Sequence, residues 1–229
     1  MFILTKSVLA LMLGFVITII FGYFFIPVLK KLKAGQKVSE FLGESHKLKD
    51  GIPTLGGLIF IIPTFLTILI LYLMNKIEIN SNLIIIIFVL ISYATIGFFD
   101  DFLKIKRKNN KGLTEIQKLI GQIIIAAVFF YIFIKSGSKP LFAVTMFNIK
   151  LNLGWFYAVF ILFMLVGSAN AVNITDGLDG LATGLSIIAT VCIGIITWAT
   201  YWLTGYQDIA LFCFIFTGSL IGFMVFNSY

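Results

Sequence analysis

Seven apolar stretches dominate the sequence and limit what the chain can fold into. None of them contains a charged residue, and each approaches the roughly 20 residues that a helix needs to cross the ~30 Å hydrocarbon layer of a membrane. Of the 229 residues, 60% are hydrophobic and only 12% are charged, about half the charged share of soluble domains. We therefore predict seven membrane-spanning helices, at residues 8–29, 54–74, 83–99, 119–134, 153–170, 181–199 and 209–226.

The stretches follow one another with only short polar segments between them. This pattern predicts an all-α fold, a polytopic integral membrane helix bundle that forms one transmembrane domain over residues 1–229. The first stretch, at residues 8–29, is too long for the core of a signal peptide, so we retain it as a span.

Basic residues are distributed unequally between the two sides of this predicted bundle. The segments after the first and third spans hold twelve Lys and Arg residues, whereas the opposite side holds five. Because cytoplasmic loops carry the excess of Lys and Arg, we predict that the N-terminus lies outside and that the Lys-rich loops are cytoplasmic. We expect anionic membrane lipids as partners of these lysines, and no nucleic acid.

Four polar motifs meet at the predicted cytoplasmic side. All four lie at the ends of predicted helices, where a site would be open to water and to the lipid headgroups at once. They are "SHKLKDGIPTLGG" at residues 45–57, "DDFLK" at 100–104, "KGLTEIQKL" at 111–119 and "NAVNITDGLDGLATG" at 170–184.

The acidic residues of these motifs predict a cation site. Asp100 and Asp101 are adjacent near the C-terminal end of a predicted helix, where the helix dipole and their mutual repulsion both oppose negative charge. Asp176 and Asp179 follow on the same predicted surface, although either could simply be an N-cap. Four clustered carboxylates are best neutralised by a divalent cation, and Mg²⁺ prefers such oxygen ligands together with substrate phosphates.

The neighbouring polar residues suit a phosphate-bearing substrate. Lys49, Lys104 and Lys118 flank the acidic residues, and phosphoryl transfer needs mainly positioning and charge stabilisation. Asn170 and Asn173 lie close to Asp176 in sequence. Their amides could bind a base or a sugar or could cap helix carbonyls, and both interpretations stay open.

With these four motifs in this order, the chain from residue 30 onward resembles the phospho-N-acetylmuramoyl-pentapeptide transferases of bacterial cell-wall synthesis. The resemblance implies a Mg²⁺-dependent enzyme at the cytoplasmic face of the bacterial inner membrane. Its expected reaction joins UDP-N-acetylmuramoyl-pentapeptide to undecaprenyl phosphate, giving lipid I and UMP. A homodimer is expected by analogy with the family.

The resemblance also implies roles for individual residues. Asp100, Asp101 and Asp176 are the implied catalytic residues, with Asp100 a candidate base for the lipid phosphate and both Asp100 and Asp101 candidate Mg²⁺ ligands. Implied substrate-binding residues are Lys49 and Thr54 at the nucleoside pocket, Asn170, Asn173, Gly177, Leu178 and Asp179 around the uridine, and Asn227 at the uracil. Lys104 and Lys118 are added as phosphate-binding residues because they flank the acidic residues, not because of the resemblance.

The sequence departs from the family in two ways. Ile52 and Leu55 stand where the family often has Thr and Met, and the family has ten spans where this chain has seven. A third essential Asp and a His-rich loop that the family carries farther on are absent from the sequence, whose last residue is Tyr229. A further Mg²⁺ ligand is therefore expected beyond Tyr229. We expect the 229 residues to be a fragment that would not turn over substrate alone.

Two other functions fit part of the pattern. Transferases of other UDP-N-acetylhexosamines to polyprenyl phosphate share the Asp motifs, but they often carry Arg in a "PRLGG" pattern where this chain has Thr54. A cation-coupled transporter would also retain acids in a membrane domain. Transporter sites, however, tend to lie near the bilayer midplane within repeated halves, and neither feature is visible here.

Overall fold

The computed structural model describes residues 2–32, 54–109, 111–144, 147, 149–177, 180–200 and 205–227. These residues form seven helices and one two-stranded sheet, which lies between the fourth and fifth helices. The elements are α1 (Phe2–Leu32), α2 (Leu58–Leu73), α3 (Ser81–Arg107), α4 (Glu115–Lys135), β1 (Leu141–Val144), β2 (Ile149–Asn152), α5 (Phe156–Thr175), α6 (Leu181–Thr200) and α7 (Tyr206–Asn227).

Six of the seven described helices are long and apolar enough to cross a membrane. The remaining one, α2, has 16 residues and is therefore about 24 Å long at 1.5 Å per residue. The prediction of a polytopic helical membrane protein is confirmed. The seven predicted spans correspond to these seven described helices, of which six are long enough to cross a membrane and α2 is shorter.

Several helices, α3 among them, extend beyond their apolar stretches because polar residues cap and continue them. α3 begins after Asn80, whose Oδ1 accepts a hydrogen bond from the Leu83 backbone N–H at 2.9 Å. It continues through the charged residues after Phe99 and ends before Lys108, which is left-handed with φ 51°. Lysine and arginine in its last turn suit the negative end of the helix dipole.

A hairpin between α4 and α5 departs from the expected all-α fold. β1 and β2 pair antiparallel, with Phe142 opposite Leu151 and Val144 opposite Ile149. No strand is predicted here from the sequence, because four-residue strands are too short for their alternation to stand out.

The helix α7 forms the centre of the bundle and is the most buried of the six long helices. It packs against α1, α2 and α6, and its Leu211 and Ile215 join a core with Ala10 of α1 and Leu71 of α2. Small residues let α1 and α7 approach closely: a Cβ added to Gly218 would overlap the Leu11 carbonyl. Such small-residue contacts are typical of helix pairs in membranes.

Large apolar side chains cover much of the outer surface. Phe163 of α5 and Ile188 of α6 are 72% and 61% exposed, and Ile124 of α4 is 57% exposed. In water such patches would mark an interaction site or cause aggregation, whereas lipid acyl chains cover them without cost. The exposed surface therefore agrees with a membrane location.

The helices fall into two groups that meet at the candidate site. α1, α2, α6 and α7 pack together, while α3, α4 and α5 pack in chain order. Smaller contacts, between α3 and α7 and between α5 and α6, join the groups. The ends of helices from both groups surround the cavity described below.

Candidate active site

Asp100 and Asp101 lie within the last two turns of α3, and their side chains have different surroundings. Adjacent residues on a helix differ in direction by about 100°. Asp100 is buried, with 8% of its surface exposed, whereas Asp101 is half-buried. The two aspartates therefore have different partners.

Lysine ammonium groups provide the counter-charge for this pair. Lys104 Nζ lies 2.6 Å from Asp100 Oδ2 and 3.1 Å from Asp101 Oδ1, as expected for residues one turn apart on a helix. Lys118 Nζ, from α4, lies 3.3 Å from Asp100 Oδ1. Two of the predicted substrate-binding lysines, Lys104 and Lys118, are thus in direct contact with predicted catalytic aspartates.

Asp100 also holds the segment between α3 and α4 in place. Its Oδ1 accepts a hydrogen bond from the Leu113 backbone N–H at 2.8 Å. The chain passes so close that a Cβ at Gly112 would overlap the Asp100 carboxylate. Arg107 Nη1 donates to the Gly112 carbonyl at 3.1 Å. Asp100 therefore has a structural task beside any catalytic one.

Replacing Asp100 by Ala should loosen this segment. A hydrogen bond to a charged group contributes about 1.5–3 kcal/mol, and about 1.4 kcal/mol corresponds to a factor of ten. Hydrogen exchange at the Leu113 amide should therefore accelerate by about ten- to a hundredfold. The control Asp100→Asn keeps an oxygen acceptor without the charge and should retain part of the protection. Unchanged exchange in Asp100→Ala would contradict this task.

Asp101 holds the turn that precedes α2. Its Oδ2 accepts a hydrogen bond from the Leu55 backbone N–H at 2.9 Å. Leu55 has φ 70°, a left-handed conformation that costs energy for a residue with a branched side chain. Its side chain is buried against Leu29 of α1 and Ile59 of α2, which keeps the turn at residues 54–57 in position.

An open cavity of about 560 Å³ lies beside this turn. It is bounded by the turn, α2, and the site-facing ends of α3, α5, α6 and α7. Among the described residues, its polar lining comes from Thr54, Asp101, Asp176, Thr183, Ser186 and Asn227, and its apolar lining includes Phe60, Val172, Leu220 and Phe223.

The cavity brings together four residues that the sequence predicts for the site. Thr54, Asp101, Asp176 and Asn227 come from four separate segments and all line it. Asn227 Nδ2 also donates to Thr183 Oγ1 at 3.3 Å. Carboxylates, an amide and hydroxyl groups therefore share one solvent-open space at the ends of the helices.

Other predicted residues do not line this cavity. Asn170 donates from Nδ2 to Gln122 Oε1 of α4 at 3.0 Å and to the Val166 carbonyl at 2.8 Å, so its amide joins α5 to α4. Asn173 and Gly177 are exposed near the end of α5. Lys49, Leu178 and Asp179 lie outside the described residues.

Thr183 and Ser186 line the cavity but are not predicted from the sequence. Ser186 Oγ donates to the Ala182 carbonyl one turn earlier at 2.7 Å, a bond by which Ser and Thr commonly satisfy themselves inside apolar helices. Their position four to seven residues after Asp179 was the available signal. Thr and Ser at these positions are equally typical of an ordinary membrane helix.

Whether the cavity suits Mg²⁺ depends on its carboxylates. Among the described residues there is no group of three or more His, Cys, Asp or Glu that could hold a metal ion. Asp101 and Asp176, however, share the cavity wall, and Mg²⁺ usually binds through one or two carboxylates plus substrate phosphates. This pair fits that chemistry.

Two further Mg²⁺ ligands are predicted from the sequence. Asp100 is held by Lys104 and Lys118, whose ammonium groups would have to move away before this carboxylate could bind the ion. Tyr229, beyond which the other ligand is expected, lies outside the described residues, the last of which is Asn227. The ligand beyond Tyr229 and the inactivity of the chain without it therefore stay predictions.

Comparison with known proteins agrees with the resemblance seen in the motifs. The model of glycosyl transferase family 4 matches residues 83–229, a segment that contains Asp100, Asp101, Asp176 and Asn227. A phospho-N-acetylmuramoyl-pentapeptide-transferase of Oceanobacillus iheyensis is 42% identical over 228 residues, which cover 99% of this chain and 68% of that protein. The chain belongs to the phospho-N-acetylmuramoyl-pentapeptide-transferase family.

Further members of this transferase family show a similar degree of likeness. The transferase of a Geobacillus species is 41% identical over 97% of this chain and 67% of its own length. That of Listeria monocytogenes is 39% identical over 93% of this chain and 64% of its own length. The chain spans about two thirds of the length of these relatives. Family membership and the apolar helices together identify a phosphotransferase-type enzyme of the bacterial membrane.

Proposed function

We propose that the chain carries the site that transfers phospho-N-acetylmuramoyl-pentapeptide from its UDP-linked donor to undecaprenyl phosphate, giving lipid I and UMP. The observation that carries this proposal is the shared cavity, which gathers Asp101, Asp176, Thr54 and Asn227 at one end of the bundle. The names of the similar transferases support the donor. The expected face is the cytoplasmic side of the inner membrane, because the basic segment from Lys104 to Lys118 lies at this end.

The proposed reaction exchanges one phosphorus–oxygen bond for another. An oxygen of undecaprenyl phosphate bonds to the phosphorus that carries the sugar. The bond from that phosphorus to the bridging oxygen of UMP breaks, and UMP leaves with the electron pair. Both reactants are anionic, so positioning and charge compensation are the main tasks of the protein.

Asp101 is the carboxylate best placed to meet the substrate. Its side chain lines the cavity, and its Oδ1 lies 3.1 Å from Lys104 Nζ. It can therefore accept a proton from the lipid phosphate while the ammonium group offsets the negative charge of the phosphate. Asp100 is in contact with two ammonium groups and the Leu113 N–H. Its implied role as the base stays a prediction, and the geometry favours Asp101.

The remaining lining residues suit the donor. The hydroxyl of Thr183 and the amide of Asn227 offer donors and acceptors to a uracil or a sugar, and Phe60 and Phe223 offer apolar walls. With Asp101 as the base, Asp176 is the described cavity carboxylate that would hold Mg²⁺, and the ion would offset the charge of the donor phosphates. The Mg²⁺ dependence, the lipid acceptor, the expected homodimer and the roles of Lys49, Leu178 and Asp179 belong to this proposal.

The experiment uses membranes of cells that express the full-length protein, since the 229 residues alone are expected to be inactive. UMP release is measured with undecaprenyl phosphate and either UDP-N-acetylmuramoyl-pentapeptide or UDP-N-acetylglucosamine, with Mg²⁺ or with a chelator. We expect release with the muramoyl donor only and its loss on chelation. Release with UDP-N-acetylglucosamine alone would favour the related hexosamine transferases, and release with neither donor would overturn the proposal.

A further inference from the structure

The β1–β2 hairpin lies at the end of the bundle opposite to the candidate active site. α4 starts at Glu115, beside the Asp100–Lys118 ion pair, and runs to Lys135. The chain then enters the hairpin and returns through α5, which ends next to Asp176 at the cavity. None of the chemistry described above uses this hairpin, which joins two helices that are long and apolar enough to span the membrane.

The register gives the hairpin one wholly apolar face. Residues opposite each other in an antiparallel pair point to the same side of the sheet, and neighbours along a strand point to opposite sides. Phe142 pairs with Leu151 and Val144 pairs with Ile149, so these four side chains share a face. The other face carries Lys150 and Asn152, with Leu141 and Ala143 opposite them.

An aromatic contact fixes the depth and direction of the apolar face. The rings of Phe142 and Phe160 meet edge to face with centroids 5.6 Å apart. Phe160 lies four residues inside α5, which places it about 6 Å beyond the first residue of that helix. The hairpin therefore folds back along α5 with this face toward the bundle, while Lys150 is on the face that points away.

The protein leaves much of the apolar face uncovered. Ile149 and Leu151 are 44% and 51% exposed, and Trp155, at the start of α5, is 83% exposed. Trp and Tyr are enriched where membrane headgroups begin, because their rings suit a boundary between water and acyl chains. The exposed side chains thus sit at the level where lipid can cover them.

The charge of the segment identifies the kind of lipid. Residues 135–156 contain Lys135, Lys139 and Lys150 and no Asp or Glu. All three lysines are exposed. Basic residues beside an apolar face are typical of elements that lie in the headgroup layer and bind anionic phosphates.

We propose that the β1–β2 hairpin is an interfacial membrane anchor. It lies in the headgroup layer on the side opposite to the active site, with Phe142, Val144, Ile149 and Leu151 toward the acyl chains. Lys139 and Lys150 bind the phosphates of anionic lipids. The anchor sets the depth of α4 and α5, which it joins.

Spin labels on neighbouring residues test the anchor directly. In a protein with Cys192→Ser and Cys213→Ala, single cysteines replace Ile149, Leu151 or Lys150 and receive a nitroxide. The protein is placed in vesicles of phosphatidylcholine and phosphatidylglycerol. Collision rates with oxygen, which concentrates in lipid, are compared with those of a water-soluble nickel chelate. The labels at Ile149 and Leu151 should shift toward oxygen and the label at Lys150 toward nickel.

Two outcomes overturn the anchor. High nickel accessibility at Ile149, Leu151 and Lys150 alike would place the hairpin in water. Protection of Ile149 and Leu151 from both reagents would mean that protein, such as a second copy, covers the face. The lipid charge is tested with Lys139→Gln/Lys150→Gln: the label at Ile149 should gain nickel accessibility in this variant when phosphatidylglycerol is present. An unchanged value would overturn the role of the lysines.

Discussion

Replacing Asp101 by Asn should lower the rate of UMP release by about 10²- to 10⁴-fold, the usual contribution of a positioned acid–base group. The change removes the negative charge that faces the cavity and meets Lys104. It leaves a side chain of the same shape, whose amide oxygen can still accept the hydrogen bond of the Leu55 N–H. The loss should therefore appear in kcat, measured in membranes with saturating donor and lipid, with little change in the amount of folded protein.

The matched control for Asp101 is Glu115→Gln. Glu115 lies on the same side of the bundle, but its side chain is 87% exposed and its carboxylate meets Lys118 only at 3.7 Å. Exposed ion pairs of this kind contribute little, so this variant should retain nearly full activity. Equal rates for Asp101→Asn and Glu115→Gln would show that Asp101 does not take part in the reaction, and Asp100 would then be the candidate base.

Replacing Gly218 should separate the two most closely packed helices. A Cβ at this position would overlap the carbonyl group of Leu11, and backbone atoms cannot turn aside as a flexible side chain can. Overpacking a tight contact costs about 1–3 kcal/mol, so Gly218→Ala should reduce the free energy of unfolding by about that amount and Gly218→Val by more. Unfolding in detergent micelles, followed by circular dichroism, gives the comparison.

Gly97→Ala is the control for this packing prediction. Gly97 is also helical, in α3, but a Cβ there would meet no atom within 4 Å. Ala is favoured over Gly in a helix interior by about 1 kcal/mol, so Gly97→Ala should be neutral or stabilising. If Gly218→Ala were as well tolerated as Gly97→Ala, close contact between α1 and α7 would not be needed for stability.

The membrane-spanning helices could be predicted from the sequence because hydrophobicity alone largely determines them. An uncharged run of about 20 apolar residues has few alternatives to a membrane helix. The ends of the helices were harder to predict. For example, α3 continues eight residues beyond Phe99, to Arg107. Hydropathy alone would end α3 at Phe99. The ion pair between Lys104 and Asp100 and the basic residues of the last turn stabilise its continuation.

Residues of the candidate site could be predicted from the sequence, but the contacts that they make could not. The motifs and the family resemblance predict Thr54, Asp101, Asp176 and Asn227 for one site, and these four residues line one cavity; their roles stay predictions. The different surroundings of Asp100 and Asp101 could not be foreseen, because the rotation of α3 depends on its packing against other helices. Likewise, the hydrogen-bond partner of Asn170 is Gln122, which lies on a different helix 48 residues earlier in the sequence. No local sequence pattern predicts this contact.

Leu55 gives the first helix an influence on a site that it does not line. Its buried side chain wedges against Leu29 at the end of α1, while its backbone is tied to the carboxylate of Asp101. A tilt of α1 is therefore expected to shift this turn at the mouth of the cavity, together with α2 and α7, against which α1 also packs. Lipid thickness is one influence on such tilts, so the position of this turn is expected to depend on the membrane around α1.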